Sequence, residues 1–384
     1  MVRLSVDPDR SRRQLGLALF VGGVGLGLLL DLLLFVVPAL ASPKPLRTLG
    51  VMVLSAALAL PAAALYLSVP RLLDRYDPEP LYALLGCLLW GATFATGVSA
   101  AVNSAVGAVA SSLLGEGGGE AISAVLSAPI VEEATKGLAV LGVFWFLRRE
   151  FDGYIDGLLY ATFTAVGFAT VENVLYYAKG AATGGGAGLA ATFFARGILS
   201  PWAHPVFTSV TGLGIGWARE SVRPAARWLG PLLGYAGAVT LHAAWNGLAT
   251  LSAVVSPLPF LLALPLWLLL VAGYLVLVWR LAARRARILR SHLQDELALG
   301  NLSAEEVDLV ASSFGLKRAR RMWGPDGEEL LRAAARLAMH KWHLTRAMAS
   351  KKSTMSGQLI GPLRQRVAEL KGRIAARASQ QRAR

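Results

Sequence analysis

The sequence predicts an all-α, polytopic membrane helical bundle of about eight transmembrane helices, followed by a basic, helical, cytoplasmic tail. Three observations carry this. Hydrophobic residues make up 55% of the 384-residue chain and charged residues only 16%, too apolar for a water-soluble fold. Apolar stretches near the roughly 20 residues of a spanning helix recur at 15–40, 48–69, 81–112, 121–147, 156–178, 189–217, 228–250 and 258–282. The net charge of +14 is concentrated at one end: residues 284–384 hold 21 Lys and Arg against 9 Asp and Glu. The charge therefore belongs to a tail rather than to a nucleic-acid surface, and no nucleic-acid partner is expected. The chain divides into a transmembrane domain, 1–283, and the tail, 284–384.

The first stretch, with its basic lead and the small residues Ala39-Leu40-Ala41, imitates a signal peptide. Its apolar run is longer than a signal core, so an uncleaved anchor is expected. The connecting segments alternate in basicity. Arg10, Arg12 and Arg13 lead in; Arg71 and Arg75, Arg148 and Arg149, then Arg219, Arg223 and Arg227 follow spans two, four and six. Arg280, Arg284, Arg285 and Arg287 follow span eight, while the intervening loops are poor in Lys and Arg. By the positive-inside rule the protein lies in the cell membrane with both termini cytoplasmic.

The fourth span carries Glu132, Glu133 and Lys136, with the glutamates about 17 Å from its outer end at 1.5 Å per residue. Each charge at that depth costs about 2.5–3.5 kcal/mol on insertion scales, so it is expected to face a protein interior and to mark function. Glu132 and Lys136 share a face at i,i+4, which suggests that the lysine neutralises Glu132 and leaves Glu133, about 100° away, free for another task. Span five adds Glu172 and Asn173. Span six adds His204 between Pro201 and Pro205, two prolines that would bend the helix beside a cavity. Span seven places His242 and Asn246 on one face.

These groups lie at comparable depth. Imidazole and carboxylate are the ligand types of a catalytic zinc, with a further glutamate to take a proton from water. The same groups also suit metal-free general-base chemistry. The single cysteine, Cys87, excludes a multi-cysteine metal site and an internal disulfide. Buried Glu, His and Lys also occur in proton-coupled transporters, although no internal repeat is visible, and a non-catalytic membrane scaffold is the other alternative.

In chain order, Glu132-Glu133-x-x-Lys136, Phe168-x-x-x-Glu172-Asn173, His204 and His242-x-x-x-Asn246 resemble the PrsW family of intramembrane proteases, which is related to the type II CAAX prenyl proteases. The resemblance covers roughly residues 50–282. It implies an intramembrane endopeptidase that cleaves membrane-anchored proteins in regulated proteolysis, an anti-sigma-factor-like substrate among them. It also implies Glu132 as general base with Glu133 assisting or bonding locally, Glu172, His204 and His242 as candidate water or metal ligands, and Asn246 at the scissile carbonyl or its oxyanion.

Other polar residues read more plainly. Asp31 and Arg196 are expected at interfacial or interhelical positions, His340 and His343 on the tail's surface, and Gly184–Gly188 in a flexible outer loop. In the tail, Ser303-Ala304-Glu305-Glu306 is a capping box that opens a short helix to about 313. Glu328–Ala349 and Leu363–Ala378 have helical composition across the Ser/Gly-rich Ser350–Gly361. The basic face of this tail is expected to contact anionic lipid or a cytoplasmic partner, the alternative being a solvated charged appendage.

Overall fold

The computed structural model describes residues 8–71, 73, 78–200, 203–256, 258–349 and 356–382; Arg75 and Pro201 lie outside them. The described residues are predominantly helical and contain no strand. They divide into two compact units, the first within residues 1–72 and 79–275, the second within 73–78 and 276–384.

The first unit is built from α1 (Pro8–Asp31), α2 (Pro45–Arg71), α3 (Leu81–Trp90), α4 (Thr96–Leu114), α5 (Ala128–Phe146), α6 (Tyr154–Phe193), α7 (Ala203–Glu220), α8 (Ala226–Val254) and the first part of α9 (Leu258–His292). Among the described residues, five stretches are long and apolar enough to cross a membrane: Ser11–Leu40, Pro45–Val69, Leu81–Leu114, Tyr154–Glu220 and Ala263–Ala298. Leucines 15, 19, 26, 60, 232, 266 and 269 point outward and exposed, as lipid-facing residues do. This is a multi-pass membrane bundle.

Five stretches rather than eight meet the apolar criterion, and two of the three differences have identifiable reasons; the expected span at 228–250 forms α8 but is not among the five. The expected spans at 156–178 and 189–217 fall within one long stretch, and α5 interrupts its apolar run with Glu132, Glu133 and Lys136. At 1.5 Å per residue the 40 residues of α6 would extend about 60 Å, twice a bilayer's hydrocarbon core. The chain instead turns back on itself at Gly185, which has φ 60°, so that the Gly180 and Gly188 backbones touch. The glycine cluster is thus a tight reversal, with Gly185 in the left-handed region.

Close helix crossings bring the polar residues together. A Cβ on Gly157 would lie 2.1 Å from the Gly212 carbonyl oxygen, and one on Gly212 would lie 2.1 Å from that of Gly157, so α6 and α7 meet backbone to backbone. Gly91 with Thr164 and Gly167 with Leu88 do the same where α6 crosses the α3 region, and Gly214 meets Gly230 between α7 and α8. Without a hydrophobic force between helices in lipid, such small-residue contacts are how membrane helices gain packing energy.

Among the described residues, four π-helical turns interrupt these helices: Leu32–Val36, Gly91–Ala95, Ser123–Ser127 and Phe194–Leu199. Ser123–Ser127 is followed by Ala128 and Pro129, and the proline lacks a backbone N–H to donate while its ring crowds the preceding turn. Phe194–Leu199 ends just before α7, in whose first turn Pro205 sits, where a missing N–H costs nothing.

The second unit is a folded helical body. It contains α10 (Ala304–Ala311), α11 (Gly315–Ala349) and α12 (Ser356–Arg382). The predicted capping box forms in full: Ser303 Oγ accepts from the Glu306 N–H, and the Glu306 carboxylate accepts from the Ser303 N–H. Leu289, Leu293, Leu302, Val310, Leu330, Leu337 and Leu370 are fully or almost fully buried with Ala319, Ala334 and Ala338. A solvated appendage is therefore the wrong description, because this tail has its own core. Nor does the Ser/Gly-rich segment wholly separate its helices: α12 begins at Ser356 and runs through Gly361, while α11 begins at Gly315 and kinks at Gly324 before Pro325.

Candidate active site

The first unit gathers Glu132, Glu133 and Lys136 from α5, Glu172 from α6, His204 from α7 and His242 from α8 into one cluster. All but Glu172, which is partly buried, are buried. Glu133 and Lys136 are fully enclosed. The division of labour expected on α5 is not the one found. Lys136 Nζ lies 2.8 Å from Glu133 Oε1 and 3.5 Å from Glu132 Oε2, so its stronger partner is Glu133. The i,i+3 spacing shares a face as well as i,i+4, and the flexible lysine stem reaches either carboxylate.

Glu133 is accordingly not free. It accepts hydrogen bonds from Lys136, from Thr208 Oγ1 at 2.9 Å and, in the tautomer that donates from Nδ1, from His242 at 3.0 Å. That bond turns His242 Nε2 toward Glu132 Oε2, 3.8 Å away. His204 is held in the same manner by a different carboxylate. Its Nε2 pairs with Glu172 Oε2 at 2.8 Å, and its Nδ1 faces Lys136 Nζ at 3.1 Å.

Each imidazole thus has one nitrogen on a carboxylate and the other directed into the cluster. Glu132, His204 and His242 offer donor atoms within 4.8 Å of one another. Histidines oriented by carboxylates are the usual support of metal-ligating imidazoles, and two histidines with a carboxylate form a known catalytic zinc set. Formal charge fits as well. Three carboxylates face Lys136 and Arg196, which leaves a net negative charge around the two neutral rings. The residues present therefore suit a divalent cation.

Aromatic rings wall the cluster. Phe207 stacks on His242 at 5.2 Å, Phe168 meets His204 edge-on at 5.2 Å, and Lys136 Nζ sits 4.1 Å from the Phe168 centroid. A largely apolar cavity of about 470 Å³ between α5, α7 and α8 reaches Glu133 and Gly137 at one end and Arg227 and Trp228 at the other.

Two expected site residues stand elsewhere than their expected roles require. Glu172 lies behind His204, outside the Glu132, His204 and His242 group, and is also bound by Arg196 at 2.5 Å. Asn246 donates from Nδ2 to the Ala124 carbonyl at 2.8 Å, inside the Ser123–Ser127 turn. Sequence reasoning passed over Thr208 and Phe207. Thr208 sits one turn after His204 and was detectable from that spacing; Arg196, taken as interhelical, does bridge helices but also touches the site.

A multi-pass helical bundle that buries two histidines and a glutamate as a possible metal-ligand set belongs to the class of membrane-embedded metalloproteins. Residues 79–274 match the family described as PrsW family intramembrane metalloprotease. The chain is 34% identical over 172 residues to the "Protease PrsW" of Geobacillus kaustophilus (strain HTA426), covering 44% of this chain and 68% of that one. It is 28% identical over 246 residues to the "Protease PrsW" of Bacillus subtilis (strain 168), covering 62% and 96%. No solved structure matches. The chain belongs to the PrsW family of intramembrane metalloproteases and is an intramembrane endopeptidase acting on membrane-anchored protein.

Proposed function

We propose that peptide-bond hydrolysis takes place at the Glu132, His204 and His242 cluster. The observation that carries this is the pairing of each imidazole with its own carboxylate, Glu133 for His242 and Glu172 for His204, while their other nitrogens converge with Glu132. His204, His242 and Glu132 would hold a zinc ion. Such an ion supplies Lewis-acid polarisation and an acidified water.

The remaining chemistry belongs to the chain. Both oxygens of Glu133 are taken up by Lys136, His242 and Thr208. Glu132 is less engaged, its nearest cation lying 3.5 Å away, which leaves it available as the carboxylate of that ligand set. Lys136 balances the paired carboxylates, and Phe168 and Phe207 keep bulk water from the rings. Asn246 acts indirectly, by holding the turn that delivers α5. The cavity ending at Glu133 takes an unwound stretch of the substrate.

The chain crosses the membrane eight times with both termini in the cytoplasm, a reading supported by the alternating basicity of its connections. Substrates are single-span proteins, an anti-sigma-factor-like protein among them, and the basic second unit contacts anionic lipid or a cytoplasmic partner. The test is cleavage of single-span reporters in liposomes by wild type, Glu132→Gln and His242→Ala, with and without a zinc chelator. Loss of cleavage in both variants and on chelation is expected; undiminished cleavage by both variants would overturn the assignment.

A further inference from the structure

Arg196 lies outside every motif that marks the site, yet it grips one of the site's carboxylates. It sits in the π-helical turn Phe194–Leu199, a backbone form that adds a residue to a helix and recurs at functional sites. From there Nη2 donates to Glu172 Oε2 at 2.5 Å and Nε donates to Asn173 Oδ1 at 3.0 Å. Its guanidinium carbon lies 3.8 Å from the centroid of the Tyr176 ring. Three groups of α6 therefore fix one side chain that arrives from another turn of the bundle.

The grip has a direction. The oxygen that accepts from Arg196, Glu172 Oε2, is the same one that meets His204 Nε2 at 2.8 Å. On the opposite edge of that ring, Nδ1 faces the cluster's interior, 3.1 Å from Lys136 Nζ. A carboxylate held at a fixed angle by a planar fork can accept from the imidazole only at Nε2, which keeps the lone pair on Nδ1.

We propose that Arg196 is a positioning residue of the metalloprotease site: acting through Glu172, it sets the tautomer and ring orientation of His204, so that Nδ1 is presented to a metal ion. The inference rests on the metalloprotease reading of the cluster. A lysine cannot replace the arginine, because a single ammonium point does not reproduce the separate bonds to Glu172 and Asn173.

The test uses the purified full chain in detergent, with wild type, Arg196→Ala, Arg196→Lys, Glu172→Gln and the double variant Arg196→Ala/Glu172→Gln. Zinc affinity is read by competition with a chromophoric chelator, alongside reporter kinetics and thermal unfolding. Arg196→Ala is expected to weaken zinc binding by about 10- to 100-fold, the range for removing an outer-shell partner. It should lower kcat with little change in KM, and guanidinium ion at non-denaturing concentration should restore both zinc affinity and kcat. Arg196→Lys is not expected to regain wild-type affinity.

Because Arg196 acts through Glu172, the double variant should bind zinc no more weakly than Glu172→Gln alone. Wild-type zinc affinity in a folded Arg196→Ala protein, or additive losses in the double variant, would overturn the proposal. If Arg196→Ala does not fold, Asn173→Ala loosens the same grip with the charge retained. It should give a smaller loss in the same direction, and wild-type affinity there would overturn the proposal equally. A wild-type protein that neither binds zinc nor cleaves a reporter would instead refute the metalloprotease reading itself.

Discussion

Neighbouring residues of one helix, Glu132 and Glu133, have opposite characters because their partners differ. Glu133 and Lys136 form a fully enclosed pair, extended by Thr208 and His242. Removing one partner of a buried pair leaves an uncompensated charge, at a cost of about 3–5 kcal/mol. Glu133→Gln is therefore expected to lower the unfolding temperature markedly and to abolish cleavage with it. Glu132→Gln should abolish cleavage while leaving the unfolding temperature close to wild type. Measuring both quantities in detergent decides the matter, and equal thermal losses would contradict the separation of roles. At this scale the sequence identified the residue types, because charges at bilayer depth are conspicuous. It did not reveal which carboxylate serves which cation, since i,i+3 and i,i+4 place both glutamates within the lysine's reach. Nor did it reveal that Glu172 stands behind His204, which depends on the rotation of α6 against α7.

At the scale of elements, two features give the site its shape: glycine crossings and the groove between α5, α7 and α8. The Gly157–Gly212 crossing leaves no room for a Cβ on either residue, since each would lie 2.1 Å from backbone oxygen. Gly212→Val should force α6 and α7 apart, cost at least about 1–3 kcal/mol as overpacking does, and carry His204 away from Glu172. Reporter cleavage and thermal unfolding should fall together; retention of both would show that the crossing is soft. The groove makes a different prediction. Leu232 lines it and is 61% exposed, so Leu232→Trp fills space without disturbing the core. KM for a single-span reporter should rise with kcat and unfolding temperature little changed, and an unchanged KM would remove this cavity from the substrate path. Hydropathy made the helices legible in sequence. The four π-turns were not, because an inserted residue leaves composition and apolar periodicity almost unaltered.

Across the whole molecule the two units illustrate how differently legible a membrane bundle and its tail are. The bundle declares itself through long apolar runs. The tail's core hides among charges because much of it is alanine, as at Ala319, Ala334 and Ala338, and alanine at helical spacing beside many arginines reads as a solvated helix. Between α11 and α12, Glu329 meets Arg366, with Arg373 at 3.5 Å, and Asp326 meets Arg377 at 2.6 Å. The hydrogen bond from Arg366, with Arg373 beside it, holds the Glu329 carboxyl below the usual glutamate range. A carboxyl whose pKa is lowered on folding contributes stability above its unfolded value, roughly pH 4, and loses it as the pH falls through the lowered folded value. The contact between α11 and α12 should therefore be constant from about pH 8 to 5 and loosen only below about pH 4. Because Glu329 is half exposed, salt should weaken its share of the contact, and Glu329→Gln should reduce the acid response. Spin labels on α11 and α12 of the full chain, read by distance measurement across a pH series, report this directly. A change in separation between pH 8 and 5 would place the responsible group elsewhere, since no carboxylate with a lowered pKa titrates in that window.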